Sequence, residues 1–327
     1  MRPVISVSIW GAHAQRFCAC HTSARVAAVF ARGFHVAAGA DFLCLGAPSI
    51  GRGPLNAIVD PVGWAWVAGR LPPVGAAARI RNGMIECDRV TLVTAAASSW
   101  LPPPWPRNPE RETLTVALDD LERLACKKAP VEGIARVALL SAAAGTPTGC
   151  ARSSAAVMAR VAGPRIARLR DWVGARLIRP TSEPAPLDLV GLGPGLTPAG
   201  DDLLCGALVA LHAIGQIALA RDLYAGIGEV ARFATSPLSV ACLKAAADGL
   251  SSEPLHETIV ALLANQSVAR PLEAVARIGH TSGWDALAGA VLVLRTFVAM
   301  SGQVCNPYGD RVCKPDPHRN PASSRRP

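Results

Sequence analysis

The chain has 327 residues, of which half are hydrophobic and 17% are charged. It is therefore long enough for about two domains and is not a disordered or fibrous protein. The net charge of +9 comes from 29 Arg and four Lys set against 24 acidic residues. Arg suits carboxylate and phosphate ligands. No basic cluster is interleaved with stacking aromatic residues, so nucleic-acid binding is not predicted.

The distribution of cysteines and apolar residues favours a cytoplasmic protein. Ten cysteines are scattered through the chain, which is typical of reduced thiols and not of a disulfide framework. The N-terminus lacks the apolar core of a secretory signal. The longest uncharged run, 203–220, contains His212 and two glycines and follows two aspartates. We interpret it as a buried core helix and predict no membrane span.

The first hundred residues predict a β-rich part. Short apolar stretches at 4–9, 34–38, 42–45, 64–68 and 90–95 read as strands. Asn82 and Gly83 lie between two further strand-like pieces and tolerate the positive φ angles of a type I′ turn, which predicts a β-hairpin.

Five prolines between residues 102 and 109 mark a boundary, because such a run continues neither a helix nor a central strand. From about residue 112 the apolar spacing becomes helical, with helices predicted near 131–143, 153–162, 165–178, 201–220, 237–248, 254–264 and 285–300. The sequence thus predicts an α+β fold. Its parts are a β-rich domain at 1–101, a proline-rich linker at 102–110, a helical domain at 111–304 and a disordered, basic tail at 305–327.

The segment 190–206, VGLGPGLTPAGDDLLCG, is the most informative in the chain. Its glycines precede a long apolar helix, so backbone N–H groups and the helix N-terminus could converge on an anion. Leu196 replaces the last glycine of a dinucleotide fingerprint, and Asp201 and Asp202 replace the Lys-Ser/Thr of a P-loop. One aspartate would suffice to cap the helix. Two predict a ligand with donor groups, such as an amide NH₂ or a bound Mg²⁺.

The segment 278–294 repeats this pattern with one residue fewer. The matched pairs are Gly195 with Gly279, Thr197 with Thr281, Gly200 with Gly283 and Asp202 with Asp285. Two helix N-termini could therefore converge on one ligand. The alternative is a pair of equivalent helix-capping loops.

Further polar residues complete the predicted site. His280 lies inside the second loop and could act as acid, base or donor near neutral pH, or be a buried structural histidine. Thr235 and Ser236 cap a helix and could line the same pocket. The predicted catalytic residues are Asp201, Asp202, His280 and Asp285; the predicted substrate-binding residues are Gly193, Gly195, Thr197, Gly200, Thr235, Ser236, Thr281 and Ser282. No cofactor is predicted, although Mg²⁺ is possible.

The motifs GLGPGLTPAGDD and GHTSGWDALAG resemble those of the AllH-like family, which contains one subunit of the oxamate carbamoyltransferase of bacterial ureide (allantoin) breakdown. The resemblance extends over roughly residues 20–300, including Gly53 and Pro54. It implies a part in purine catabolism, with carbamoyl transfer between oxalurate and phosphate to give oxamate and carbamoyl phosphate. It also implies two other subunits as partners.

Two other functions remain open from the residues. One is a Mg²⁺-dependent hydrolase similar to ADP-ribosylglycohydrolases, although such sites need more carboxylates than Asp201, Asp202 and Asp285 supply. The other is a non-catalytic scaffold subunit of a multi-subunit enzyme.

Overall fold

The fold is α+β, as the sequence predicts. The computed structural model describes residues 4–88, 90–107, 109–140, 154–179 and 181–300, so the predicted tail at 305–327 lies outside it. All of the strands in the described part precede residue 101. They are β1 (Val4–Gly11), β2 (Ser23–Phe30), β3 (Gly33–Ala38), β4 (Asp41–Gly46), β5 (Asn56–Val59), β6 (Ala77–Arg81), β7 (Met84–Cys87), β8 (Val90–Val93) and β9 (Ser98–Trp100).

The strands form one sheet that closes on itself. The order is β5-β4-β3-β2-β6-β7-β8-β1-β9, and β5 also pairs with β1. The closure depends on β1, which pairs antiparallel with β5 and parallel with β8 and β9. Its interior is filled by apolar side chains of alternate strand positions, including Val7, Val36 and Leu92.

The β-hairpin predicted at Asn82 and Gly83 is confirmed. Both residues have positive φ angles, 49° and 70°, and they join β6 to β7. The strand predicted at 64–68 is wrong, because these residues lie mainly in helix α2 (Pro61–Val67). Asp60 accepts a hydrogen bond from the Gly63 backbone N–H at 2.8 Å, and Pro61 occupies the first helical position. An Asp-Pro pair is a helix start, and here it outweighs the β-propensity of two tryptophans.

The proline-rich segment carries no helix or strand among its described residues, 101–107 and 109–110. It nevertheless packs on the helical part. Trp105 stacks on the ring of His256 at 3.7 Å between centroids, and His256 Nε2 donates to the carbonyl of Pro103 at 2.7 Å. The division into independent domains at this segment stays a prediction.

The helical part departs from the predicted boundaries at the two places described below. It also contains the helix Ala269–Val275 and most of the helix Ile217–Ala234, which the sequence does not predict. It contains α3 (Arg111–Lys128), α4 (Ala135–Leu140), α5 (Ser154–Ile178), α6 (Ala199–Ala213), α7 (Ile217–Ala234), α8 (Pro237–Ala247), α9 (Glu253–Leu263), α10 (Ala269–Val275) and α11 (Ser282–Met300); α1 (Ala12–Cys20) lies within the β-rich part. The helix predicted at 201–220 is two helices, because Gly215 ends α6 and its N–H donates to His212. The helices predicted at 153–162 and 165–178 are one. Pro164 lies inside this helix and has no N–H, so one backbone carbonyl of the preceding turn lacks its helical hydrogen bond. Because Pro164 is exposed, water can solvate that carbonyl.

Helix α8 joins the two parts. Leu238 and Ala241 of α8 pack against Phe42 and Cys44 of β4 in a small apolar cluster. Around it, Lys244 pairs with Asp41 at 3.0 Å. Two more polar contacts join the parts, a hydrogen bond between His13 Nε2 and the Asp248 carboxylate at 2.9 Å and an ion pair of Arg52 with Glu253 at 2.9 Å. The N-terminus of α8 is thereby held on the closed sheet, beside the predicted site.

Candidate active site

The two repeated segments meet where α6 crosses α11. A Cβ built on Gly206 would lie 1.7 Å from the carbonyl oxygen of Ala286, and one built on Gly289 would lie 1.8 Å from that of Leu203. These four residues are equivalent in the two copies of the repeat. The helices therefore cross backbone to backbone about a local two-fold axis, which only glycine allows at this separation.

The loops before the two helices are also equivalent. The Gly200 N–H donates to Leu192 at 2.8 Å, and the Gly283 N–H donates to Ile278 at 3.0 Å. Gly193 and Gly279 directly follow the accepting residues, so the structural counterpart of Gly279 is Gly193. The sequence comparison pairs Gly279 with Gly195 instead, and that pairing is wrong. The loops touch each other through the Thr197 and Ser282 hydroxyls, whose oxygens are 3.0 Å apart.

Asp202 lies in the first turn of α6 and is 9% exposed. Burial raises its pKa well above the usual range, and the nearby charges of Asp285 and Asp201 raise it further. Hydrogen bonds from the Ser282 and Thr197 hydroxyls oppose this shift. Its Oδ2 has no hydrogen-bond partner within the described part of the chain. This buried oxygen is therefore available to accept a hydrogen bond from a bound ligand.

Asp285 occupies the same position in α11 and is fully buried. Its Oδ1 accepts the backbone N–H groups of Ile134 and Ala135, both at 2.8 Å. Burial raises its pKa to about 6, although these bonds and the Thr281 hydroxyl lower it. Asp285 therefore fastens the start of α4, whereas no backbone N–H bonds its counterpart Asp202 in the described chain.

Asp201 fixes the glycine loop to the junction of α7 and α8. Its Oδ1 accepts the Gly191 N–H at 2.8 Å, and the Thr235 hydroxyl donates to its Oδ2. Next to it, the Ser236 hydroxyl donates to the carbonyl of Leu196 and accepts the Ser239 N–H at 3.0 Å. The Asp201 carboxylate and the Ser236 hydroxyl thus both bond to other groups of the protein. Asp201 therefore shapes the glycine loop that leads to Asp202.

The region that contains both loops has a known counterpart. Residues 189–294 match the family model of oxamate carbamoyltransferase subunit AllH. This confirms the resemblance for the glycine-aspartate loops, over a shorter span than the predicted 20–300. We refer to residues 189–294 as the AllH segment. No solved structure matches the chain.

The AllH segment contains all of the predicted site residues, but the structure does not bring all of them together. His280 is 78% exposed and lies 3.7 Å from the Glu132 carboxylate. Gly195 is exposed too, and a Cβ there would meet nothing within 4 Å. Gly193, Gly200 and the hydroxyl residues Thr197, Thr235, Ser236, Thr281 and Ser282 surround the aspartates as described above. The roles of these residues remain predictions.

The sequence gives no signal for one part of the site. Asp285 is held by the backbone N–H groups of Ile134 and Ala135, which follow Gly133 and lie outside the AllH segment. Backbone groups carry no residue-type pattern. Gly133 has φ +76°, and a Cβ there would lie 2.7 Å from Asp285 Oδ2. The positive φ and this contact together require glycine.

A metal ion has little support in this arrangement. Among the described residues, no three His, Cys, Asp or Glu side chains are placed to hold one metal ion. Mg²⁺ favours six oxygen ligands near 2.1 Å, whereas Asp201 and Asp285 already accept hydrogen bonds from protein groups. We therefore derive no step through Mg²⁺.

The pKa of Asp285 predicts a pH-dependent stability difference. Its folded-state pKa of about 6 exceeds the unfolded value near 4, so the folded state holds the proton more tightly and loses stability as pH rises between these values. Asp285→Asn does not titrate and keeps an oxygen for the two N–H groups. From pH 4 to pH 7 the variant should gain up to about 3 kcal/mol relative to the wild type. Urea denaturation at several pH values measures this gain. A difference that does not change with pH would contradict the prediction.

Proposed function

We propose that this chain is a subunit of a carbamoyltransferase acting on oxalurate or oxamate and phosphate. The observation that carries the proposal is the buried, unpartnered Oδ2 of Asp202 within the AllH segment. A carboxyl oxygen in this setting requires a donor. The carbamoyl group and oxamate both offer an amide NH₂.

The repeat supports an amide ligand at Asp202. At Asp285 the equivalent carboxylate takes two N–H groups from the backbone of this chain. A substrate NH₂ presents the same kind of neutral N–H donor. An ammonium ion or bare metal would instead bring a full charge, and among the three aspartates only Oδ2 of Asp202 and Oδ2 of Asp285 have no hydrogen-bond partner in the described chain to lose.

The proposed reaction needs positioning and charge stabilisation only. A phosphate oxygen attacks the carbamoyl carbon of oxalurate and forms the new C–O bond. The C–N bond breaks, and the departing nitrogen takes the proton of the attacking hydrogen phosphate to become the amide of oxamate. Asp202 orients the carbamoyl NH₂ beside the breaking bond, and the Thr197 and Ser282 hydroxyls hold the Asp202 carboxyl group in place by hydrogen bonds. Such preorganised contacts supply much of the rate in transfer reactions.

The proposed location is the cytoplasm. Among the described residues only α11 is long and apolar enough to cross a membrane, and 67% of its apolar window is buried inside the protein. Its close crossing with α6 accounts for the apolar composition. The helix predicted as a buried core element, at 203–220, includes most of α6, whose residues are nearly all buried.

The test is carbamoyl phosphate formation from oxalurate and phosphate by the complex assembled with its companion subunits. We expect turnover with this chain and its loss when this chain alone is omitted. Turnover without the chain, or an assembled complex that forms no carbamoyl phosphate, would contradict the proposal. Activity that requires the chain but survives Asp202→Asn would favour a scaffold subunit.

A further inference from the structure

The rim of the aspartate site exposes two large apolar side chains. Phe233, near the end of α7, is 91% exposed, more than any other large hydrophobic side chain in the described part of the chain. Leu196, in the glycine loop, is 48% exposed. We call these two residues the site rim.

Short connections join the site rim to the aspartates. Phe233 lies two residues before Thr235, which donates to Asp201. The Leu196 carbonyl accepts the Ser236 hydroxyl, and Leu196 directly precedes Thr197, whose hydroxyl bonds Asp202. A partner bound to the site rim would therefore cover the glycine loop that leads to Asp202.

Within the described chain, no Lys or Arg forms an ion pair with Asp201, Asp202 or Asp285. The nearby charges that raise the pKa of Asp202 are those of carboxyl groups. The proposed substrates are phosphate and a carboxylate. Binding them beside three carboxyl groups requires a cation, and Arg or Lys is the usual protein group for this purpose.

We propose that a companion subunit docks on the site rim and extends an Arg or Lys side chain over Asp202 to bind the anionic substrate. The charge of the substrate rests on the proposed function, whereas the docking surface rests on Phe233 and Leu196. Aromatic residues, Phe among them, are enriched at protein–protein interfaces, so Phe233 would be the anchor of this one.

The chain offers a matched control on the same helix. Ile217 is 44% exposed and begins α7, about 24 Å from Phe233 at 1.5 Å per residue. Phe233→Ser and Leu196→Ser remove the site rim, and Ile217→Ser removes a comparable apolar side chain elsewhere. All three residues are exposed, so thermal melts of the isolated variants should match the wild type.

The experiment measures the affinity of the full-length chain for its companion subunits by sedimentation, together with phosphate binding by calorimetry. We expect about tenfold or weaker association for Phe233→Ser and less than a twofold change for Ile217→Ser. Phosphate should bind the complex and not the isolated chain. Wild-type association by Phe233→Ser, equal weakening by both variants, or phosphate binding by the isolated chain would overturn the proposal. An assembled complex that forms no carbamoyl phosphate would instead contradict the proposed function alone.

Discussion

Asp202→Asn is expected to reduce carbamoyl transfer by the assembled complex about a hundredfold or more, chiefly in kcat, as for other single transition-state hydrogen bonds. Asn has the same size as Asp and keeps an oxygen for the Ser282 and Thr197 hydroxyls, so the loss of stability should be about 1 kcal/mol or less. The neutral amide of Asn either accepts a weaker hydrogen bond from a substrate NH₂ or presents its own NH₂, which cannot accept one. Because this contact strengthens as the carbamoyl group moves, KM should change less.

Steady-state kinetics and a thermal melt, each with Asp171→Asn as a control, measure this effect. Asp171 is a solvent-exposed carboxylate on α5, far along the chain from the glycine loops. Near-wild-type turnover by Asp202→Asn would show that this carboxyl group has no part in catalysis. A melt lowered by many degrees would show a structural residue and remove the kinetic evidence for a site.

Gly206→Ala and Gly289→Ala are expected to destabilise the protein by at least about 3 kcal/mol each. The added methyl groups would lie 1.7 and 1.8 Å from backbone carbonyl oxygens of the opposite helix. Rotation of a side chain cannot relieve such a contact, so α6 and α11 must separate. Their separation would also pull apart the loops that hold Asp202 and Asp285.

Gly174→Ala in α5 is the matched control. A Cβ there would meet Thr296 at 3.4 Å, an ordinary contact, and Ala is the better helix former by about 1 kcal/mol. Chemical denaturation should therefore show loss for the two crossing glycines and no loss for Gly174. Values within 1 kcal/mol of the wild type for Gly206→Ala would contradict the close crossing.

A cavity lies apart from the three aspartates of the candidate site. It has a volume of about 590 Å³ and lies between α5 and α11, with Arg170, Arg295 and Met300 in its wall. None of the predicted site residues lines it. Its wall is mostly apolar, and neither Asp202 nor Asp285, whose Oδ2 atoms are buried without a hydrogen-bond partner in the described chain, lines it.

The sequence predicts those features that depend on local chemistry. Asn82 and Gly83 specify a hairpin because few other pairs accept their φ angles. Asp202 and Asp285 are predicted at the starts of buried helices, and the structure places them in the first turns of α6 and α11. In both cases the signal is complete within a few residues.

The features that depend on tertiary contacts are not predictable from one sequence. The partner of Asp285 is the backbone of Ile134 and Ala135, about 150 positions away, and any residue type can provide an N–H group. His280 has a suitable side chain in a suitable loop, yet it faces solvent. The direction in which a loop residue points is decided by packing, and the sequence pattern does not encode it.

The position of the substrate amide tests the account most directly. A structure of the assembled complex with oxalurate should place the carbamoyl nitrogen within hydrogen-bond distance of Asp202 Oδ2, with a basic side chain of a companion subunit on the oxalurate carboxylate. Oxalurate bound with its carbamoyl nitrogen beyond reach of Asp202, while the complex forms carbamoyl phosphate, would contradict the role of this carboxyl group.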